Sequence, residues 1–325
     1  MVNPAPLFKL ATDYWHSRAF LAAVHIGLFN ELGSEGLPLG KLSELTEIPE
    51  TKLKVLLGAL RELNLVEECE LTGDIRPTEL SSIYLNPESP AYLGESLEYS
   101  REMFPLWDKL EQRLRSSDEP TRPSKEDTPG FLRSMHNRAS IIIPSVLPFL
   151  KVDPADRVLD LAAGAGSWSL ALQKEKGLES PTLLEQVELA SEMQSFIQSQ
   201  GMLNAEYIPA DYRHWQNDRQ FDKILYFGAL HQEPESYRQE LFLRFLEWLK
   251  PGGTLYVLDL FVSKNEKNCL FGYLFGLNMI LTSGGGIHSL ESTNDDIKSL
   301  PGVDSLTPHR IPGELPYFLI EVTKN

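Results

Sequence analysis

Two cysteines, Cys69 and Cys269, are all that this chain of 325 residues carries. That is too few for a disulfide framework, and neither has a metal-ligand spacing around it. A reduced, cytoplasmic setting without a bound metal is therefore expected. Long apolar runs are also missing. The most apolar stretch, CLFGYLFGLNMIL over 269–281, is 13 residues and contains Asn278, short of the roughly 20 that a bilayer-spanning helix needs. The N-terminus shows no basic region leading into an apolar core, and FLAAVHIGLF is interrupted by His25. Neither a targeting segment nor membrane association is expected. Positive charge is scarce: 30 Lys and Arg stand against 46 Asp and Glu, a net charge of −16. Such a surface repels phosphate backbones and anionic membranes, which argues against a nucleic-acid substrate.

What is present suffices for two domains. Residues 1–100 read as short helices followed by a hairpin. AFLAAVHIGLFNEL (19–32) is apolar nearly all round, which predicts a helix buried against another chain or domain. Residues 38–68 read as helix, turn, helix, with Pro49 at a first-turn position and Leu53, Leu56, Leu57 and Leu60 on one stripe. LVEECELTGDIRPT (65–78) predicts a hairpin turning at Thr72-Gly73-Asp74. This is the outline of a winged helix, a fold that often binds DNA. The wing, however, holds Glu67, Glu68, Glu70 and Asp74 against Arg76 alone, and phosphate would push it away. A dimerisation role fits better than a regulatory DNA-binding one. Residues 101–150 read as connecting helices with a polar loop over 116–130.

From 151 onward the pattern changes. Candidate strands at 156–161, 181–185, 205–208, 221–227, 253–260 and 316–322 alternate with helical stretches. That alternation predicts an α/β domain with a parallel sheet covered on both faces. The first strand ends in VLDLAAGAGSW (158–168), where Gly164 and Gly166 let the backbone pass close to a ligand at a helix start. A dinucleotide fingerprint wants a third Gly or Ala where Ser169 stands, and a pyrophosphate would be repelled by Asp160. An acid there suits a positively charged group such as an α-amino group. Glu185 ends the second strand, where a carboxylate can accept ribose hydroxyls, and Asp211 follows the third.

With these motifs the chain resembles the class I S-adenosylmethionine (SAM) methyltransferases. More narrowly, it is similar to small-molecule O-methyltransferases that carry a winged-helix dimerisation domain. SRAFLAAVHIGLFNEL, VLDLAAGAGSW, LEQVELA, PADY, FDKILYFGALHQEP, LKPGGTLYVLD and LNMILTSGGG carry the resemblance along nearly the whole chain. It implies a Rossmann-like SAM-binding sheet over 151–325 and a homodimer acting on a small-molecule acceptor. By resemblance, Asp160, Gly164 and Gly166 hold the methionine part of SAM, Glu185 the ribose, and Asp211 with Tyr212 the adenine. Phe227 meets the adenosyl group again.

The same resemblance makes His231 the general base and Asp259 its orienting acid, roles that suit an imidazole and a carboxylate. It also implies substrate contacts from Phe131, Met135 and His136 in a lid segment, and from Met279 and Ser283. The chain departs from the pattern at His288, where plant enzymes present a second acid, and at Gln232 and Glu233. His288 is therefore a candidate for the chemistry as well. Alternatives are methyl transfer to sulfur or carbon, which needs little base catalysis, and SAM-assisted cyclase, decarboxylase or hydroxylase chemistry.

Overall fold

The computed structural model describes residues 2–33, 36–116, 128–202 and 204–325. The polar loop read at 116–130 lies almost wholly outside them. Two compact units divide the chain, Met1–Phe104 and Pro105–Asn325.

The first unit contains α1 (Ala5–Thr12), α2 (Tyr14–His25), α3 (Leu28–Leu32), α4 (Leu39–Thr46) and α5 (Glu50–Glu62). A hairpin of β1 (Val66–Glu68) and β2 (Ile75–Pro77) follows, then α6 (Glu79–Tyr84) and α7 (Gly94–Glu102). The predicted helix–turn–helix and hairpin both form, with Glu67 paired to Arg76 across the antiparallel strands. Leu53, Leu57 and Leu60 join Leu28, Phe29, Leu32 and Leu42 in one core, each worth about 1.5–3 kcal/mol when fully buried. The single helix expected over 19–32 is two helices. Gly27, at φ 72°, breaks it, because a residue in the left-handed region cannot continue a right-handed helix. Its apolar side chains Ala23, Leu28, Phe29 and Leu32 join the core of their own unit. A run of exposed apolar residues lies earlier, at Leu7, Phe8, Leu10, Tyr14 and Trp15.

After α8 (Phe104–Trp107), the second unit runs α9 (Leu110–Arg115), α10 (Thr128–Val146), β3 (Val158–Leu161), α11 (Ser167–Lys176), β4 (Thr182–Glu185) and α12 (Val187–Ser199). It continues through β5 (Glu206–Pro209), β6 (Phe221–Phe227), α13 (Arg238–Glu247), β7 (Leu249–Val262), α14 (Leu270–Thr282) and β8 (His288–Ser289). α15 (Leu290–Lys298), β9 (Val303–Arg310) and β10 (Tyr317–Lys324) complete it. The main sheet has the order β5-β4-β3-β6-β7-β10-β9, and β8 pairs separately with β7. The five strands β3 to β7 are parallel as predicted. β10 and the unpredicted β9 are antiparallel, which corrects the all-parallel expectation.

Alternate residues of the central strands enter different cores. Leu159, Leu161, Ile224 and Tyr226 pack with Phe242 and Phe245 of α13, while Val158, Leu225 and Phe227 pack with Trp168 and Leu172 of α11. Both faces are therefore covered. Strand order reverses at β3 and β6, and in open α/β sheets the crevice outside the carboxyl ends of such strands receives the ligand.

Candidate active site

The turn after β3 is built on strained backbone. Ala162, Gly164 and Gly166 all have positive φ, at 52°, 56° and 66°. For the non-glycine Ala162 that conformation costs about 1–2 kcal/mol. A Cβ on Gly166 would sit 2.1 Å from Ile197 Cδ1, whereas one on Gly164 would meet nothing nearer than the Ala162 carbonyl at 3.9 Å. Gly166 is thus fixed by packing, while Gly164 leaves open space beside the turn.

Two acids border that space. Asp160 is buried and accepts a 2.6 Å hydrogen bond from Ser169 Oγ. Burial pushes its pKa up to about 7; the Ser169 bonds oppose the rise and the nearby Glu185 adds to it. Glu185 Oε2 accepts from Gly164 N and Oε1 from Gln186 N, both at 2.7 Å. Burial raises its pKa too, against those two backbone bonds. A buried carboxylate with so little compensation and an open cradle beside it fits the ammonium and ribose hydroxyls of SAM. Ser169 was not singled out as a functional residue; its one sequence signal is its place in the first turn of the helix after Gly166.

The remaining cofactor candidates differ in placement. Asp211 is engaged by Arg213, whose Nε and Nη2 donate to it at 2.9 and 2.7 Å. Despite some burial, that guanidinium holds the carboxyl below its usual range. Tyr212, expected beside the adenine, is buried at 5% exposure. Its ring packs edge-on against Tyr226 and Phe245 in the core, and its hydroxyl donates to the buried Glu233. Phe227 is buried, 4.8 Å edge-on from Trp168.

One strand further along, a short turn over Leu230–Gln232 follows β6. Asp259 of β7 is 2% exposed and reaches back to this turn, accepting from His231 Nδ1 at 2.8 Å and His231 N at 3.1 Å. Leu260 N donates to the same carboxylate at 2.7 Å. A carboxylate only accepts, so the Nδ1 atom of His231 carries a proton, and in the neutral ring Nε2 is the atom with the lone pair. No hydrogen-bond partner of Nε2 stands among the described residues. The ring lies edge-on to Phe275 at 4.8 Å.

His288, expected as a further candidate for the chemistry, is held within the chain. It is 2% exposed and both ring nitrogens are occupied: Nδ1 by Arg238 Nη1 at 3.1 Å, and Nε2 by the Leu230 carbonyl at 2.9 Å. The lid candidates lie on α10. His136 Nδ1 is 2.9 Å from Ser167 Oγ at the glycine turn, and burial lowers its pKa. Phe131 packs with the cluster containing Ala163 and Ala165, and Met135 is half-buried on the same helix. On α14, Met279 is buried, and Ser283 donates its hydroxyl to the Met279 carbonyl at 3.2 Å. No group of three potential metal ligands is found among the described residues.

Residues 158–253 match the model of a methyltransferase domain family. The chain is 26% identical over 299 residues to the tetracenomycin polyketide synthesis 8-O-methyl transferase TcmO of Streptomyces glaucescens, covering 87% of this chain and 86% of that protein. An O-methyltransferase family protein from Burkholderia thailandensis superposes with a TM-score of 0.86 at 20% identity, over 100% of this chain and 99% of that one. Human N-acetylserotonin methyltransferase in complex with SAM gives 0.86 at 19% identity, over 99% and 97%. The structural likenesses establish the fold, and the domain match lies on the strands and turns that carry Asp160, Gly164, Glu185 and His231. Residues 158–253 of this chain thus carry a methyltransferase domain, and the whole chain is similar to O-methyltransferases.

Proposed function

We propose that the protein transfers the methyl group of SAM to a hydroxyl of a small-molecule acceptor, with His231 as general base. The observation that carries this reading is the His231–Asp259 pair, held at 2.8 Å beside the carboxyl ends of β6 and β7. Asp160 receives the methionine ammonium and Glu185 the ribose hydroxyls, while Gly164 and Gly166 let the backbone approach. When bound, SAM supplies an electrophilic methyl group. His231 Nε2 takes the acceptor's hydroxyl proton as oxygen attacks, and Asp259 stabilises the imidazolium that forms. Alignment of the acceptor oxygen supplies several kcal/mol of the barrier reduction. The relative named as an 8-O-methyl transferase supports oxygen as the methylated atom.

A screen of hydroxyl-bearing acceptors with methyl-labelled SAM, read by mass spectrometry, tests the reading. It expects S-adenosylhomocysteine together with a product one methyl heavier on oxygen. Turnover without S-adenosylhomocysteine would contradict it, and a label found on sulfur or carbon would remove the need for a base.

A cytoplasmic homodimer completes the proposal. No residue of α1 is buried, and Leu7, Phe8, Leu10, Tyr14 and Trp15 together form an apolar surface that favours a partner. Light scattering at micromolar concentration should show a dimer; a monomer would contradict this. Both cysteines are unpaired, which suits a reducing compartment. No helix among the described residues is long and apolar enough to cross a membrane.

A further inference from the structure

We infer that Arg238 and His288 form a brace that positions the His231 turn, with His288 acting as a neutral hydrogen-bond donor. The inference rests on the reading of His231 as base and assigns its support to residues outside the substrate path. Asp259 fixes the ring and N–H of His231, and it leaves the carbonyl side of the turn unheld. The loop between α14 and β8 supplies that side. His288 Nε2 is 2.9 Å from the Leu230 carbonyl, and Gly286 N donates to the His231 carbonyl at 2.9 Å. Gly285 lies so close that an added Cβ would be 2.0 Å from the His231 oxygen and 2.8 Å from Gln232 Cα. Phe261 of β7 pairs with His288, two residues beyond Asp259. One strand thus anchors both the acid that holds the imidazole and the loop that holds its backbone.

Arg238 sets the direction of the His288 bond. It is 3% exposed, and Asp296 accepts from its Nε at 2.9 Å and pairs with Nη2 at 2.6 Å. Ser292 accepts from Nη2 at 2.8 Å. Nη1 then donates to His288 Nδ1 at 3.1 Å and is also within reach of Thr293 and Glu235. A guanidinium only donates, so His288 Nδ1 is bare and its proton sits on Nε2, facing the Leu230 carbonyl. Burial, with the Arg238 charge adding to it, keeps His288 neutral, against opposing pulls from the Leu230 bond, Asp259 and Glu235. A buried ion pair such as Arg238–Asp296 contributes little net stability. What it provides here is a fixed tautomer.

The test uses the full-length protein labelled with nitrogen-15 in histidine, with S-adenosylhomocysteine as the cofactor probe. The wild type should show His288 as the neutral Nε2–H tautomer and a protected Nδ1 proton on His231. In His288→Ala that proton should exchange with solvent about tenfold faster, the scale of one lost hydrogen bond. S-adenosylhomocysteine affinity should stay within about twofold, because the cofactor crevice keeps its acids. His288→Gln, whose amide can donate to the Leu230 carbonyl, should restore protection. Arg238→Gln should give a mixture of His288 tautomers with faster exchange at His231, a readout that remains if His288→Ala does not fold. Wild-type exchange at His231 in these variants, or an Nδ1–H or charged His288 at neutral pH, would overturn the brace. None of these readouts needs an acceptor. Failure here therefore leaves the base assignment standing, and that assignment is judged separately from the turnover of His231→Gln.

Discussion

The turn after β3 and the turn after β6 each lie beside a buried carboxylate, Asp160 of β3 and Asp259 of β7, and the chain treats the two differently. Asp160 has Ser169 as its partner and burial holds it up near pH 7. Asp259 is surrounded by donors from its own chain: His231 N, His231 Nδ1 and Leu260 N. The first carboxylate is incomplete until a cation arrives from outside, which is what a cofactor-binding group requires. The second is assembled in advance, which is what a catalytic pair requires, since orientation secured before the reaction need not be secured during it.

The largest effect should come from removing the incomplete acid. Asp160→Ala should weaken SAM binding by about 3 kcal/mol, roughly a hundredfold, because the buried ammonium loses its counter-charge. Asp259→Ala should leave that affinity nearly unchanged. Calorimetry showing equal losses would erase the distinction between the two turns.

The backbones of the same turns offer a second contrast. Gly166 and Gly228 both have positive φ, 66° and 63°. A Cβ at Gly166 strikes Ile197, while one at Gly228 meets nothing within 4 Å. Gly228→Ala should cost only the conformational strain, about 1–2 kcal/mol. Gly166→Ala should add about 1–3 kcal/mol of overpacking. Melting temperatures of the two variants check this, and equal shifts would contradict it.

Asp259→Asn should lower kcat on a hydroxyl acceptor by about ten- to a hundredfold while sparing SAM affinity, since the imidazole loses its orienting acceptor. Steady-state kinetics beside calorimetry separate the two quantities; a loss confined to affinity would move Asp259 to the cofactor side.

The smallest effect is a proton count. With its folded pKa raised, Asp160 is protonated in the free protein below about pH 7, and an arriving ammonium favours the carboxylate, so SAM binding should release close to one proton near pH ~6 and almost none above pH ~8. The sign for folding is the reverse of an ordinary paired acid. The raised pKa contributes stability below the unfolded carboxylate pKa, and that contribution is lost as pH rises through about 7. Calorimetry in buffers of different ionisation heat measures the release, and Asp160→Asn should abolish it.

How much of this was legible in the sequence follows from what each signal depends on. β3, β4 and β6 are short segments rich in apolar residues between turn residues, so buried parallel strands could be read from them. β9, VDSLTPHR, lies at the sheet edge with a largely exposed, irregular pattern and Pro308 in the middle, and it left no strand signal. The reversed direction of β10 is set by tertiary pairing and is absent from its side-chain pattern. The helix expected over 19–32 is broken at Gly27, whose positive φ leaves no mark on the apolar pattern around it. Asp160 and Glu185 could be proposed from their places at the ends of strands, whereas the roles proposed for His231 and Asp259 came from the resemblance to known methyltransferases. The hydrogen bonds of His288 were not legible, because its partners, Arg238 and Leu230, are 50 and 58 residues away. The bond from the Tyr212 hydroxyl to Glu233 was hidden for the same reason.

The central claim is that a preassembled His231–Asp259 pair removes the acceptor's proton. The pH–rate profile of the wild type beside His231→Gln, on a hydroxyl acceptor, tests it most directly. The wild type should show an ascending limb on the acid side, as an imidazole loses its proton and becomes able to act as base. His231→Gln should bind SAM normally, lose that limb, and show kcat reduced by roughly 10²–10⁴, the range for losing a general base. An unchanged kcat in the variant, or the same limb persisting without the imidazole, would contradict the account.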